Sequence, residues 1–382
     1  MRIAIDASLV EPGPSGARTR LLGLLSAYQS LERRHEPVLF VRRDTDLGAR
    51  IEAFGVECVP VDPPRAPLLR FVRSGRFWRL RLQRAGADLF QAESLPVPRA
   101  SGRPLILTIH DLRDLDPSAP MWSGWSARSC YARMVLPRAL RRVARVVAVS
   151  ESTGQLVAGR LGYPPERIAV VPNAAEDSII PVDDAGRLRR FRDRHALAGR
   201  FLLALGHLEP RKNLELLVEA AFRLRQRDGF SDLTLVLAGR DRAGLGARLA
   251  RRARAARVPL CVTGPLDRED RACALSAAAC LAIPSLVEGF GIVPLEAMRA
   301  GCPVVASRAG ALPEVVGDAA LLIDPNDPEQ LAAALESVLT DGELARRLVR
   351  RGFEQAARFS WRRSAELLRD VHDAVGAEGR DP

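Results

Sequence analysis

"CLAIPSLVEGFGIVPLEAMRAGCPVVAS", residues 280–307, holds a complete unit of one kind of fold. Its first four residues are an apolar run long enough for one buried strand, and Pro284 closes it because proline cannot donate to a ladder. Pro294 reads as the first residue of a helix, which Gly301 and Pro303 terminate. A second apolar run, 303–306, follows at once. Strand, loop, helix and strand in this order argue a parallel sheet with helices on its faces. The segment also places Glu288 on the loop and Glu296 on the helix. An acid pair raises the prospects of a metal site or general acid/base work, and what the rest of the chain supplies decides between them.

The same alternation extends in both directions. Short β-type runs fall at 3–7, 38–42, 56–61, 88–91, 105–109 and 145–149, with amphipathic stretches such as 17–31 and 125–142 between them. A second series has strands near 201–205, 233–238, 259–263, 280–284, 303–306 and 320–323. The expected architecture is α/β: two doubly wound Rossmann-like domains facing across a cleft. The expected boundaries are an N-terminal Rossmann-like domain at 1–175, a polar linker at 176–200 and a C-terminal Rossmann-like domain at 201–358. A final helix at 359–382, capped by Ser360, is expected to pack back on the first domain. Ligands of open α/β sheets lie beyond the carboxyl ends of the strands, so the site is expected in the cleft.

Composition agrees. A chain of 382 residues with 47% hydrophobic and 27% charged residues is a folded protein too long for one ordinary core. No apolar run approaches the roughly 20 residues of a membrane span. "MRIAIDASLV" reads as a strand and not as a signal peptide, so the expected location is the cytoplasm. Six cysteines, at 58, 130, 261, 273, 280 and 302, form no C-x-x-C pair and read as reduced core residues. A zinc site is not expected. The net charge is +11, and Lys212 is the only lysine among 57 basic residues.

That lysine sits in "LALGHLEPRKNLELLVEAA", 203–221, where an apolar strand ends at Gly206 and a helix starts near Asn213. Arg211 and Lys212 stand just before a helix N-terminus, whose dipole disfavours cations and favours an anion. They make physical sense with a phosphate between them; as a bare loop the same residues need only Asn213 as N-cap. Glu296 in a first helical turn would be stabilised by the dipole alone, but Glu288 has no such explanation. The glycines of "GFG" let the backbone approach a ligand, and amides of Gly289, Phe290, Gly291, Ile292 and Val293 can cradle a diphosphate with Arg211 and Lys212. Ionised carboxylates accept hydrogen bonds from diols, so the two acids make sense as holders of hydroxyls, without a metal.

With "LEPRKN" upstream, "PSLVEGFGIVPLEAMRAGCPVVAS" resembles the retaining glycosyltransferases of family 4, whose fold is called GT-B. The likeness extends to "GPSGARTRLLGLL", "LTIHDLRDLDP", "VVAVSESTGQLV", "RIAVVPNAAED" and "CVTGPLDRED". The "HDL" and "EPRKN" variants are most similar to the mannosyltransferase-like branch that builds bacterial surface polysaccharide. The resemblance implies transfer of a hexose, mannose above all, from a GDP- or UDP-linked nucleotide sugar to a saccharide or lipid-linked acceptor. It implies no metal and no cofactor. Arg211 and Lys212 would neutralise the leaving diphosphate, Glu296 would bind the ribose, Glu288 would hold sugar hydroxyls, His110 would contact the sugar near the reacting carbon, and Gly16 would let the backbone approach the donor phosphates. Read alone, His110 is an ordinary strand-end histidine that Asp111 could pair, and "GPSG" is a turn.

Ala174, His207 and Val293 depart from the family's usual residues without removing a charge, which bears on donor choice. The stretch "RAPLLRFVRSGRFWRLRLQR", 65–84, carries seven arginines, no acids, and Phe71, Phe77 and Trp78. It reads either as a peripheral membrane contact or as a helix with its apolar face in the first domain. No nucleic-acid module is recognisable. A nucleotide-sugar epimerase on the same scaffold and a catalytically silent partner subunit are the alternative functions.

Overall fold

The computed structural model describes residues 1–378 except 11–12, 14, 33, 63–66, 100–101, 114, 116–126 and 243, and describes no side chains at 67–74 and 127–128. Two compact units result. Met1–Pro117, Met121–Ala174 and Ser360–Pro382 form the first, and Ala175–Phe359 lies in the second.

The first unit is built on β1 (Arg2–Asp6), β2 (Glu36–Arg42), β3 (Glu57–Val61), β4 (Leu89–Ala92), β5 (Leu105–Ile109), β6 (Arg145–Ala148) and β7 (Ile168–Val170). They lie in the order β3-β2-β1-β4-β5-β6-β7, all parallel. The second unit uses β8 (Phe201–Leu205), β9 (Thr234–Ala238), β10 (Leu260–Gly264), β11 (Cys280–Ile283), β12 (Val304–Ser307) and β13 (Ala320–Ile323). Their order is β10-β9-β8-β11-β12-β13, again all parallel. Strands covered on both faces read as continuous apolar runs: in β8, Phe201, Leu202 and Leu203 are fully buried. Each such side chain contributes about 1.5–3 kcal/mol. The strand order reverses between β1 and β4 in one sheet and between β8 and β11 in the other, and a crevice opens beyond the carboxyl ends at such a point.

Twelve expected strands are present; β7 is a further, three-residue strand at the edge of the first sheet. It is too short to show an alternation of its own. The stretch expected to be a linker is part of the second unit. Its helix Ala185–Arg194, capped by Asp184, packs on the helix Arg268–Ala277 and buries Phe191. Charged residues on its outer face gave it the composition of a linker. The C-terminal helix Trp361–Glu378 lies on the helix Gly16–Gln29 in the first unit, with Trp361 filling the space beside Gly23. Ser360 Oγ accepts from the Arg363 amide at 3.2 Å, as a cap should.

The helix Pro67–Arg84 turns part of its apolar face inward. Trp78, 4% exposed, packs against Phe40 and Phe90, and Phe77 is half-buried beneath Arg81. Phe71 lies outside the described side chains. Two of the three aromatics offered for a membrane surface are thus engaged in the core or beneath an arginine. Among the described residues no helix is long and apolar enough to cross a membrane.

Candidate functional site

The loops beyond β8 and β11 meet at the second unit's reversal point. After β8 the chain passes Gly206 and makes a tight turn at Pro210–Lys212 before the helix Leu214–Arg225. The amide of Leu286, beyond β11, donates to the carbonyl of Arg211 at 2.8 Å and ties the two loops together. Asn213 occupies the expected N-cap position but does not cap with its side chain. Its backbone is left-handed (φ 53°), and its side-chain amide donates to the Pro325 carbonyl at 2.7 Å instead.

Arg211, Lys212 and Glu288 form one cluster. Arg211 Nη1 donates to Glu288 Oε2 at 2.9 Å, Lys212 Nζ donates to Oε1 at 2.5 Å, and Ser285 Oγ donates to Oε1 at 2.9 Å. Glu209 lies 3.0 Å from Arg211 Nε, 3.6 Å from Arg242 and 3.6 Å from His207 Nδ1. Burial pushes the Glu288 carboxyl up, but Arg211 and Lys212 outweigh it and hold it down at about 2. Burial also lowers the Lys212 ammonium from its ordinary value, with Glu288 opposing and Arg211 assisting. Glu288 therefore serves here as counter-ion to the two cations that the sequence reading assigned to a diphosphate, rather than presenting both oxygens to hydroxyls. Its loop is pinned from behind. The Ala311 amide donates to the Glu288 carbonyl at 2.9 Å, and Gly310, at φ 54°, comes so close that a β-carbon would lie 2.2 Å from that oxygen. Only glycine fits there.

The helix after β11 starts earlier than Pro294. It spans Ile292–Arg299, because Gly291 (φ 100°) lets the chain turn into the helix at once. Pro294 is its third residue, a position whose N–H has no intrahelical partner to lose. Ile292 and Val293 supply the first helical amides. Phe290 is 3% exposed and stacks edge-on against Phe359, so its ring is a core anchor and only its backbone belongs to the loop surface. Glu296 moves to the second turn, which removes the first-turn dipole explanation. Its side chain is fully buried and paired with Arg271, a residue the sequence reading missed. Glu296 Oε1 and Arg271 Nε are both buried and find no hydrogen-bond partner among the described residues. Burial raises the Glu296 carboxyl, with Arg271 opposing.

His110 and Gly16 belong to the first unit. Gly16 is the exposed first residue of its helix, which Ser15 caps through the Arg18 amide at 3.3 Å. His110 follows β5 and pairs not with Asp111 but with Glu93, its Nε2 lying 2.9 Å from the Glu93 carbonyl. Nearby, Arg20 is fully buried and reaches Val171 O at 2.9 Å and Asn173 Oδ1 at 2.7 Å. The sequence reading did not single out Glu93, Arg20, Ser285 or Gly310. Arg20, Glu93 and Gly310 act on partners well removed along the chain, and no local spacing marks them; Ser285 lies close to Glu288 in sequence but reads there as an ordinary loop serine.

Two family models match. Residues 14–178 match "Glycosyltransferase Family 4", and residues 189–355 match "Glycosyl transferases group 1". The chain belongs to the family 4 glycosyltransferases. Among curated relatives of this glycosyltransferase, the serotype-specific mannosyltransferase WbdA of Escherichia coli is 31% identical over 230 residues, 59% of this chain and 28% of WbdA. The MMP alpha-(1->4)-mannosyltransferase of Mycolicibacterium hassiacum is 30% identical over 286 residues, 71% of this chain and 66% of that one. The chain thus spans little more than a quarter of WbdA. The solved structure of Anabaena HepE in complex with UDP and glucose superposes with TM-score 0.78 at 19% identity, covering 98% of this chain and 100% of that one. That likeness establishes the GT-B fold.

Proposed function

We propose that this family 4 glycosyltransferase moves mannose from GDP-mannose to a saccharide or lipid-linked saccharide of a surface polysaccharide, with retention and without a metal ion. The observation that carries the reading is the Arg211–Lys212 pair, sharing Glu288 as counter-ion at the reversal point of the second sheet. A nucleoside diphosphate would take the place of the carboxylate charge there, and amides of Gly289, Gly291, Ile292 and Val293 would add main-chain donors. Preorganised positive charge at a leaving group is the largest electrostatic contribution such a site can make. The mannosyltransferase names of the relatives support the sugar, and HepE's bound UDP supports a nucleotide donor.

As the diphosphate leaves, an oxocarbenium-like centre forms and the acceptor hydroxyl enters on the same face, giving its proton to the departing phosphate oxygen. Glu288 is not required as a nucleophile. Glu296 would bind the ribose through Oε1, the oxygen that finds no donor among the described residues, and His110 would contact the sugar.

A panel of nucleoside diphosphates read by thermal shift tests the donor. Occupancy at about 100 times Kd adds about 2.7 kcal/mol of apparent stability. The expected result is a selective rise with GDP, followed by mannosyl transfer from GDP-mannose that EDTA leaves unchanged and whose product keeps the α configuration. Sugar interconversion with no acceptor present would favour an epimerase. Binding without any turnover would favour a silent subunit.

A further inference from the structure

A series of buried polar groups runs through the first unit with its donors converging on Glu93. Tyr28 Oη lies 3.1 Å from His372 Nδ1, and His372 Nε2 lies 2.7 Å from Gln91 Oε1. Gln91 Nε2 donates to Glu93 Oε1, and Thr108 Oγ1 donates to the same oxygen at 3.1 Å. An ionised carboxylate only accepts, so the Gln91 amide turns its nitrogen to Glu93 and its oxygen to His372. His372 Nε2 then carries the ring proton, and Nδ1 accepts from Tyr28. This needs a neutral ring, and burial pushes His372 down to about 3.

The series ends at His110. Its Nε2 lies 2.9 Å from the Glu93 carbonyl and 4.0 Å from Glu93 Oε2. A carbonyl can only accept, so Nε2 bears the proton and Nδ1 is the basic nitrogen. His110 keeps a quarter of its side chain exposed, whereas Glu93 is nearly closed off. We propose that Glu93 is a positioning residue for His110: its carbonyl fixes the Nε2–H tautomer so that Nδ1 accepts a hydroxyl of the transferred sugar, and its carboxylate, held by Gln91 and Thr108, stabilises charge on the ring. The sugar contact rests on the function proposed above; the tautomer and the charge coupling do not.

Among the described residues, three charged groups act on the ring: Arg20 from the helix Gly16–Gln29, Glu93 from beyond β4, and the adjacent Asp111. Burial, aided by Arg20, holds the imidazole below its ordinary range while the two carboxylates oppose this. Removing the Glu93 charge therefore lowers the protonation midpoint further. Because an imidazolium offers no acceptor, transfer falls as pH drops through that midpoint.

The test uses the full chain labelled with 15N-histidine. Long-range 1H–15N spectra distinguish the two tautomers, with His110 assigned by its loss in His110→Gln. An Nε2–H pattern is expected. Glu93→Gln keeps the carbonyl, so it should keep the tautomer while the His110 midpoint and the acid limb of kcat both move down by about one pH unit. An Nδ1–H pattern in the wild-type protein overturns the proposal, and so does an unmoved midpoint in Glu93→Gln. The wild-type spectrum needs no variant, so the tautomer can be refuted even if Glu93→Gln does not fold. If tautomer and midpoint behave as expected but His110→Gln transfers at the wild-type rate, the positioning stands and the sugar contact falls.

Discussion

Glu288→Gln keeps the shape of the side chain and removes its charge. In the structure that charge faces Lys212 Nζ at 2.5 Å and Arg211 Nη1 at 2.9 Å, with only 9% of the Glu288 side chain exposed. Burial alone would raise the carboxyl; the two cations reverse this and bring it from 4.5 to about 2. By linkage this shift represents about 3 kcal/mol of native stability. Removing one member of a buried pair costs about 3–5 kcal/mol, and the lower end applies because Arg211 keeps Glu209 at 3.0 Å. The sign follows from a folded value below the unfolded one: the contribution is complete above about 4.5 and is lost as pH falls toward 2. The variant is therefore expected to be about 3 kcal/mol less stable near neutral pH, with the gap closing in acid. Urea unfolding by far-UV circular dichroism over a pH series measures it. All four tryptophans, at 78, 122, 125 and 361, lie outside Ala175–Phe359, so their fluorescence serves as a control for the first unit. Equal stability at neutral pH would refute the argument. A deficit that does not change with pH would place the cost in packing and not in charge.

Lys212→Ala leaves Glu288 paired with Arg211, so the fold should survive while kcat/KM for sugar transfer falls about 100- to 1,000-fold; steady-state kinetics and a melting curve check both halves. Arg271→Met leaves Glu296 buried without its cation, and chemical denaturation should show a loss of about 3–5 kcal/mol. Nucleoside diphosphate affinity should fall with it, read by calorimetry. His372 is held neutral, with a folded value near 3 against an ordinary 6.5. The unfolded chain binds that proton more readily, so stability falls as pH drops from about 6.5 toward 3. Tryptophan-monitored unfolding of His372→Gln should show a flatter acid slope than the wild-type chain.

The cluster at Arg211, Lys212 and Glu288 was legible in the sequence because each residue sits at a strand end or helix start that local chemistry marks. An apolar run stops, a glycine or proline turns the chain, and a charge appears where solvent alone gives it no purpose. The two sheets were legible for the same reason, since doubly covered strands need unbroken apolar runs. Local chemistry misled where two conformations suit the same residues. Pro294 fits the first or the third helical position, and a charged helix such as Ala185–Arg194 has the composition of a linker.

Tertiary structure alone decided which charges meet. Arg271 lies 25 residues from Glu296, and Gln91 lies 281 residues from His372. Buried polar groups must find partners, but their spacing along the chain is free once the fold brings them together. Sequence therefore determined the sheets, the reversal points and the cations beside them, all consequences of near neighbours. The counter-ion role of Glu288, the closure of Glu296 by Arg271 and the hold of Glu93 on His110 arise from contacts between segments whose order in the chain carries no trace of their distance in space.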